Sequence, residues 1–320
     1  MFTPPNLVSD RAPFRSLLRI ILVVMLGFVI VGPLLGLAAS SAFYEGDLLK
    51  DLANFSAQPG FVEALLLMQG IVTFVGLICF PILHLTRLEQ KSLKPFFPTQ
   101  PQTLSMLLIV AVIGLAFPIS ISPLSEWNMN IKFPEFMSGF ENWAIQEEER
   151  LGKLTEAITD FKSVGEMLIG VLAIAVLPAI GEELVFRGMI QHELWRGTRN
   201  IHLAIWLSAV LFSAIHMQFY GFVPRLLLGA LFGYLYFWSG NLLIPIFSHF
   251  FNNAFAVVMV YLNHMKITEI NIEDGDAAPI QYVTTSLIVT AGLLYYLWKH
   301  YREFPTTPGE QNNSYNQQGL

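Results

Sequence analysis

Long apolar runs separated by short polar loops dominate the chain. A membrane-spanning helix needs roughly 17–25 mostly apolar residues. Eight segments meet this requirement, at 18–40, 62–85, 104–122, 164–184 (continuing to about 195), 201–219, 222–238, 242–262 and 283–298. The pattern predicts an all-α, polytopic membrane helix bundle of about eight transmembrane helices.

The predicted helices divide the chain into four parts. These are an N-terminal three-helix membrane region (1–163) with an extracytoplasmic segment (123–163), a helical core (164–263), a C-terminal transmembrane helix (264–304) and a tail (305–320). The tail is rich in Asn, Gln, Ser, Gly and Pro, a composition typical of disorder. Within the extracytoplasmic segment, residues 140–161 contain few helix breakers and predict an amphipathic helix. It would either lie on the membrane surface or form a solvated cap.

Composition and charge agree with a membrane protein. Only 13% of the 320 residues are charged, against about 25% in soluble proteins, and the mean hydropathy is +0.54. The net charge of −6 provides no basic footprint for nucleic acid. The single cysteine, Cys79, cannot form an internal disulfide and belongs to no metal-binding cluster of cysteines.

Basic residues alternate along the loops and predict the orientation. They occur at Arg11, Arg15, Arg19, Arg87, Lys91, Lys94, Arg196, Arg199, Lys299 and Arg302. With eight crossings, all of these lie on one side of the membrane, whereas the intervening loops are acidic or mixed. Since short cytoplasmic loops are enriched in Lys and Arg, both termini are predicted to be cytoplasmic. Arg225, at the outer end of the sixth helix, is the exception.

One heptapeptide, 181–187, places three ionisable residues at membrane depth. Such residues are costly in a bilayer and are candidates for function. Glu183 and Arg187 are spaced i, i+4 with the acid first, which predicts a helical ion pair. Glu182 points about 100° away from Glu183 around the helix. Burial disfavours the charged form of an unpaired carboxylate, which suits Glu182 to proton transfer near neutral pH.

Two later helices add polar residues to this set. His216 lies in the predicted fifth helix, and His249 shares a face of the seventh with Asn253 at i+4. His249 and Asn253 could donate hydrogen bonds to an oxyanion. Alternatively, Glu182, His216 and His249 could bind Zn²⁺ as two histidines and a carboxylate.

Each of these features has a structural interpretation, as an interfacial ion pair or a helix–helix hydrogen bond. Their occurrence on three separate helices favours a functional site instead. Counted from the basic loops, however, His249 is shallower than Glu182 and His216, so straight helices starting at one level would not bring them together.

The order and spacing of these residues resemble a known pattern: Glu-Glu-x-x-x-Arg, then Phe-x-x-x-His, then His-x-x-x-Asn. It is the pattern of the CPBP family (CAAX protease and bacteriocin-processing, or Abi), which includes the type II CAAX prenyl endopeptidases. In this chain the three motifs are Glu182-Glu183 with Arg187, Phe212 with His216, and His249 with Asn253. The resemblance covers about residues 164–263.

The resemblance implies an eight-helix fold with an intramembrane site open to the cytoplasm. It implies that Glu182 and His216 activate water, that His249 and Asn253 stabilise the oxyanion, and that Glu183–Arg187 is a structural pair. The family is often described as metalloproteases. A Glu/His mechanism needs no cofactor and fits the residue chemistry at least as well, and Zn²⁺ stays an open alternative.

The favoured function is therefore an intramembrane endopeptidase acting on a membrane-associated peptide or protein. The expected location is the lipid bilayer of a bacterial plasma (inner) membrane, and no nucleic-acid partner is expected. One alternative is a non-catalytic scaffold or bacteriocin-immunity protein that retains the same polar core. A proton-coupled transporter is less favoured, because the chain lacks an evident repeat and paired broken helices.

Overall fold

The computed structural model describes residues 12–54, 58–97, 102–272 and 274–303, and this part of the chain contains helices and no strand. The helices are α1 (Pro13–Ser41), α2 (Leu48–Asn54), α3 (Phe61–Leu88), α4 (Leu104–Ser120), α5 (Ser122–Met129), α6 (Ser138–Thr159), α7 (Val164–Thr198), α8 (Ile201–Ala214), α9 (Phe222–Ser239), α10 (Leu243–His264) and α11 (Ile280–Glu303). The all-α prediction is confirmed. The predicted disordered tail at 305–320 lies outside the described residues, as does Arg11.

Fewer helices qualify as membrane spans than the eight predicted. In the described part of the chain, six are long and apolar enough, namely α1, α3, α7, α9 (with the preceding turn Phe219–Gly221), α10 and α11. A seventh results if α4 and α5, bent by 43°, count as one span. The bend lies where Pro123 disfavours helical backbone at the residue before it.

The predicted and observed helices differ most at the predicted fifth span, 201–219. Helix α8 ends at Ala214 after 14 residues, fewer than the roughly 17 that a bilayer requires. The backbone of Met217 has a φ of 57°, a left-handed conformation that continues no α-helix. The chain therefore turns early, and His216 lies in the turn after α8 and not inside the predicted helix.

The two ends of the bundle carry opposite charge. At one end, Gly197 packs on Phe14, and the Tyr301 hydroxyl donates to Gln102 Oε1 at 3.0 Å. These contacts gather the Lys- and Arg-rich loops, and we call this the basic end. At the other end, the backbone N–H of Ala277 donates to Glu126 Oε2 at 3.3 Å. The acidic segments and α6 collect there, at the acidic end.

Helix α10 is held close to α4 by one glycine. A Cβ atom on Gly114 would lie 2.2 Å from the Ser248 carbonyl oxygen, so only glycine permits this approach. Small residues commonly allow such contacts between membrane helices. Because His249 follows Ser248, this contact also sets the position of the histidine.

The surface helix α6 confirms the predicted helix at 140–161. It packs on the acidic end through an aromatic cluster in which the ring centroid of Phe140 lies 5.2 Å from that of Phe133 and 5.4 Å from that of Phe219. Ala144, on the same helix, is buried. The helix is therefore docked on the bundle beside the turn that connects α8 to α9.

Candidate active site

The predicted ion pair forms the buried base of the site. Arg187 Nη1 donates to Glu183 Oε1 at 2.8 Å, and the two side chains are 1% and 0% exposed. Arg187 Nη2 donates to the Gly229 carbonyl at 2.9 Å, and the guanidinium lies 4.7 Å from the Phe212 ring centroid and 5.3 Å from that of Phe232. Aromatic faces favour a desolvated cation. The pair occupies a π-helical stretch of α7, Glu183–Ile190, a feature that is frequent at functional sites.

His249 contacts both glutamates. Its Nδ1 lies 2.8 Å from Glu183 Oε1, and its Nε2 lies 3.8 Å from Glu182 Oε2. The ring stacks on Phe232, with centroids 4.7 Å apart and planes inclined by 15°. The sequence suggested only that Glu183 pairs with Arg187. In the structure, Glu183 also orients His249.

His216 approaches from the turn after α8. Its Nδ1 lies 2.8 Å from the Phe212 carbonyl oxygen. Because a carbonyl only accepts, Nδ1 carries the hydrogen, and Nε2 of the neutral ring is left as an acceptor. His216 is within electrostatic range of Glu182 and His249. Phe212 lies 5.2 Å from the His216 ring and 6.1 Å from the His249 ring, which explains the phenylalanine of the motif.

Asn253 lies one helical turn beyond His249 on α10. Its Nδ2 donates to the Ile174 carbonyl at 3.4 Å, and its Oδ1 accepts from Asn252 at 2.9 Å. The first bond is long, so the amide nitrogen is weakly held. The level difference expected from the sequence is overcome at the start of α10: Asn241 and Leu242, which precede this helix, are both 0% exposed. His249 is therefore deeper than its distance along the chain from the basic loop suggests, and it meets Glu182.

The suggested zinc ligands do not form a ready metal site. In the described part of the chain, no three His, Cys, Asp or Glu side chains are grouped so that they could hold a metal ion. Glu183 and the Phe212 carbonyl hold Nδ1 of His249 and of His216, respectively, so only Nε2 of each ring could be a ligand. We therefore derive no chemical step through a metal.

A hydrogen-bonded chain joins Arg225 of α9 to the surface helix α6, and sequence reasoning missed it. Arg225 Nη2 donates to Gln218 Oε1 at 2.5 Å, and Gln218 Nε2 donates to Glu148 Oε1 at 2.9 Å. Arg225 had been treated only as an exception to the charge pattern, although an arginine at membrane depth is itself a candidate for function. Sequence reasoning also missed Phe232, the ring on which His249 stacks, because nothing in the sequence distinguishes it.

One family model matches the part of the chain that contains the candidate site. Residues 164–255 match the family model described as "Type II CAAX prenyl endopeptidase Rce1-like". This stretch contains all six candidate residues, from Glu182 to Asn253. The resemblance inferred from the motifs is confirmed for this part of the chain.

Three bacterial proteins are similar in sequence. "Uncharacterized protein YpbD" of Bacillus subtilis is 26% identical over 30% of this chain and 48% of its own length. "Putative membrane peptidase YdiL" of the same species is 22% identical over 62% of this chain and 74% of its own length. "Membrane-embedded CAAX protease MroQ" of Staphylococcus aureus is 31% identical over 30% of this chain and 40% of its own length.

These alignments have a limited extent. The chain matches less than half the length of YpbD and of MroQ. No solved structure matches significantly. The family model and the names of the relatives support a protease, which is a hydrolase, and a membrane protein; none of these descriptions mentions a metal.

Proposed function

We propose that this protein is an intramembrane endopeptidase in which Glu182 and His216 activate water, while His249 and Asn253 stabilise the oxyanion. The observation that carries the proposal is the pair of different contacts made by His249, to buried Glu183 through Nδ1 and towards half-buried Glu182 through Nε2. One side of the ring is fixed, and the other faces the group that would activate water.

Water activation is assigned to Glu182 and His216. The acceptor Nε2 left free on His216 can take a proton, and so can the Glu182 carboxylate. The 3.8 Å gap between Glu182 Oε2 and His249 Nε2 exceeds a direct hydrogen bond. It is in the range where water bridges two polar groups.

Oxyanion stabilisation is assigned to His249 and Asn253. His249 Nδ1 donates to the Glu183 carboxylate, which only accepts. Nε2 therefore has a hydrogen to donate to the oxyanion when both ring nitrogens carry one. Asn253 adds an amide donor, since its existing bond of 3.4 Å is weak. Donors arranged before the reaction lower the barrier most.

The reaction balances with these groups alone. The water oxygen bonds to the scissile carbonyl carbon as its proton passes to Glu182 or His216. The carbonyl oxygen becomes an oxyanion that accepts hydrogen bonds from His249 and Asn253. The C–N bond then breaks, and the held proton passes to the leaving amine, giving a carboxylic acid and an amine.

The proposed location is the plasma (inner) membrane of a bacterium, with a membrane-associated peptide or protein as substrate. Six or seven candidate spans support an integral membrane protein. The bacterial relatives support the type of organism.

The test compares purified wild type with Glu182→Gln in detergent, using a peptide library read by mass spectrometry. Wild type should release defined products that the variant does not. Equal product from both would refute the role of Glu182. No cleavage by wild type in detergent or in liposomes would favour the scaffold or immunity alternative. Repeating the wild-type assay after exhaustive chelation tests metal dependence, since full activity in metal-free protein would rule out a required Zn²⁺.

A further inference from the structure

The hydrogen bond from His249 to Glu183 does not by itself fix the orientation of the imidazole. The bond holds Nδ1 2.8 Å from Glu183 Oε1, but the ring can still rotate about the direction of that bond. The χ2 torsion of histidine has broad minima, so the side chain does not select one plane on its own. The direction of Nε2 depends on this plane. A second contact must therefore hold the ring.

Phe232 of α9 provides this contact against the face of the imidazole. The two ring centroids lie 4.7 Å apart, and the ring planes are inclined by 15°. The Phe212 ring meets the imidazole differently, with centroids 6.1 Å apart and planes inclined by 83°. Phe232 is 1% exposed, so its ring is enclosed by protein and has little room to move aside. Rotation of the imidazole out of its plane would drive one of its edges into the Phe232 ring.

The backbone that carries Phe232 is itself held by two hydrogen bonds from α7. Arg187 Nη2 donates to the Gly229 carbonyl at 2.9 Å, and Gln191 Nε2 donates to the Gly233 carbonyl at 3.3 Å. These two carbonyls lie before and after Phe232 on α9. A Cβ atom on Gly233 would also lie 2.8 Å from a side-chain atom of α8, so the two helices are in close contact there. Phe232 is therefore a firm support for the histidine.

Phe232 is also part of the apolar core. It belongs to a cluster formed by α4, α9, α10 and α11, with Ile113 and Ile244 among its other members. Truncating a buried aromatic side chain destabilises a core whatever else the ring does. A role in positioning therefore has to be shown by a measurement on His249 itself, beside a control that loses a ring elsewhere in the core.

From these contacts we propose that Phe232 is a positioning residue, whose ring fixes the plane of the His249 imidazole and so directs Nε2 towards Glu182. In this orientation Nε2 lies 3.8 Å from Glu182 Oε2, on the side where the reaction would take place. Phe232 acts through His249 and touches no reacting atom. The consequence for catalysis rests on the proposed protease function, whereas the orientation of the ring does not.

The experiment compares three variants of the full chain in detergent. Phe232→Leu and Phe232→Met both remove the flat ring, and methionine keeps more of its volume. Phe161→Leu is the matched control, because Phe161 is also 1% exposed and belongs to a different apolar cluster. Thermal unfolding is recorded for each, and all should be less stable than wild type. Failure of both Phe232 variants to fold, with a folded Phe161→Leu, would assign Phe232 to the core alone and overturn the proposal.

The first measurement is the NMR resonance of the His249 ring, which requires no turnover. The seven histidines are labelled with ¹³C at Cε1, and the signal of His249 is assigned by its loss in His249→Gln. Protons above an aromatic face resonate upfield. Both Phe232 variants should therefore move the His249 signal downfield, and Phe161→Leu should leave it in place. An unchanged His249 signal in the Phe232 variants would overturn the proposal.

The second measurement is peptide cleavage, with kcat and KM determined separately. For Phe232→Leu, kcat should fall about 10²-fold, as expected when a reacting group is misplaced by about 1 Å. KM should stay close to that of wild type, because Phe232 does not touch the substrate. An equal loss of kcat in folded Phe161→Leu would show a general effect of core damage and overturn the positioning role. If wild type cleaves nothing, the protease function is refuted, and the His249 signal alone decides whether Phe232 fixes the ring.

Discussion

Glu182 and Glu183 are adjacent on α7 but belong to different layers of the site. Glu183 is fully buried and shares one oxygen between Arg187 and His249. Glu182 is half-buried, and its nearest charged partner, His249 Nε2, is 3.8 Å away. The difference teaches that one turn of helix can hold, side by side, a carboxylate that stabilises the structure and a carboxylate that is available for the reaction. A buried ion pair fixes the histidine, which leaves the neighbouring carboxylate free to act.

The largest effect is expected from Glu182→Gln. The amide keeps the size of the side chain but cannot accept a proton, so activity should fall about 10²–10⁴-fold, as for the loss of a general base. The thermal unfolding temperature should stay close to that of wild type, because Glu182 holds no buried partner within hydrogen-bonding distance. Peptide cleavage and thermal melts are measured on the same preparations. A large fall in unfolding temperature without loss of activity would reverse the comparison.

Glu183→Gln is the matched variant one residue away. It leaves Arg187 as a buried cation without its carboxylate, and breaking one partner of a buried pair costs about 3–5 kcal/mol. It also removes the acceptor of His249 Nδ1, so activity should fall together with stability. Equilibrium unfolding in detergent compares the two variants. Equal stability of Glu183→Gln and Glu182→Gln would contradict the division into two layers.

The sequence predicted what depends on local spacing. The i, i+4 rule placed Glu183 near Arg187, and the scarcity of helix breakers placed α6. Contacts between helices were not predictable in the same way: His249 and Glu183 are 66 positions apart, and their contact depends on how α10 packs on α7. Phe232 is one of 26 phenylalanines, and nothing in its spacing marks it as the ring beneath His249.

The length of α8 shows a different reason for failure. Its apolar run continues beyond Ala214, so hydropathy predicts a longer span. The helix ends because Met217, which is not a glycine, takes a left-handed φ of 57°. No local residue type announces that conformation. The early end is also what places His216 in a turn beside the site.

A smaller effect is expected from Gly114→Ala, which tests how α10 positions His249. The new Cβ would meet the Ser248 carbonyl at 2.2 Å, and overpacking of this kind costs about 1–3 kcal/mol. Activity should also fall, because moving Ser248 moves His249. Gly139→Ala on α6 is the control, since nothing lies within 4 Å of its Cβ, and it should be neutral or slightly stabilising. Similar unfolding free energies for both variants would argue against a tight α4–α10 contact.

The smallest effect is expected from Glu148→Gln, which weakens the contact between α6 and the turn after α8. Glu148 accepts from Gln218 at 2.9 Å. A hydrogen bond to a charged group contributes about 1.5–3 kcal/mol and a neutral one about 0.5–1.5 kcal/mol, so the amide, which still accepts, should cost about 1 kcal/mol. Glu149→Gln, at an exposed neighbouring position, provides the control and should leave stability unchanged. Looser packing of α6 should raise hydrogen–deuterium exchange of the α6 amides in Glu148→Gln relative to Glu149→Gln, in chains that keep Gln218. Identical exchange in the two variants would mean that the Gln218–Glu148 bond does not hold α6 on the bundle.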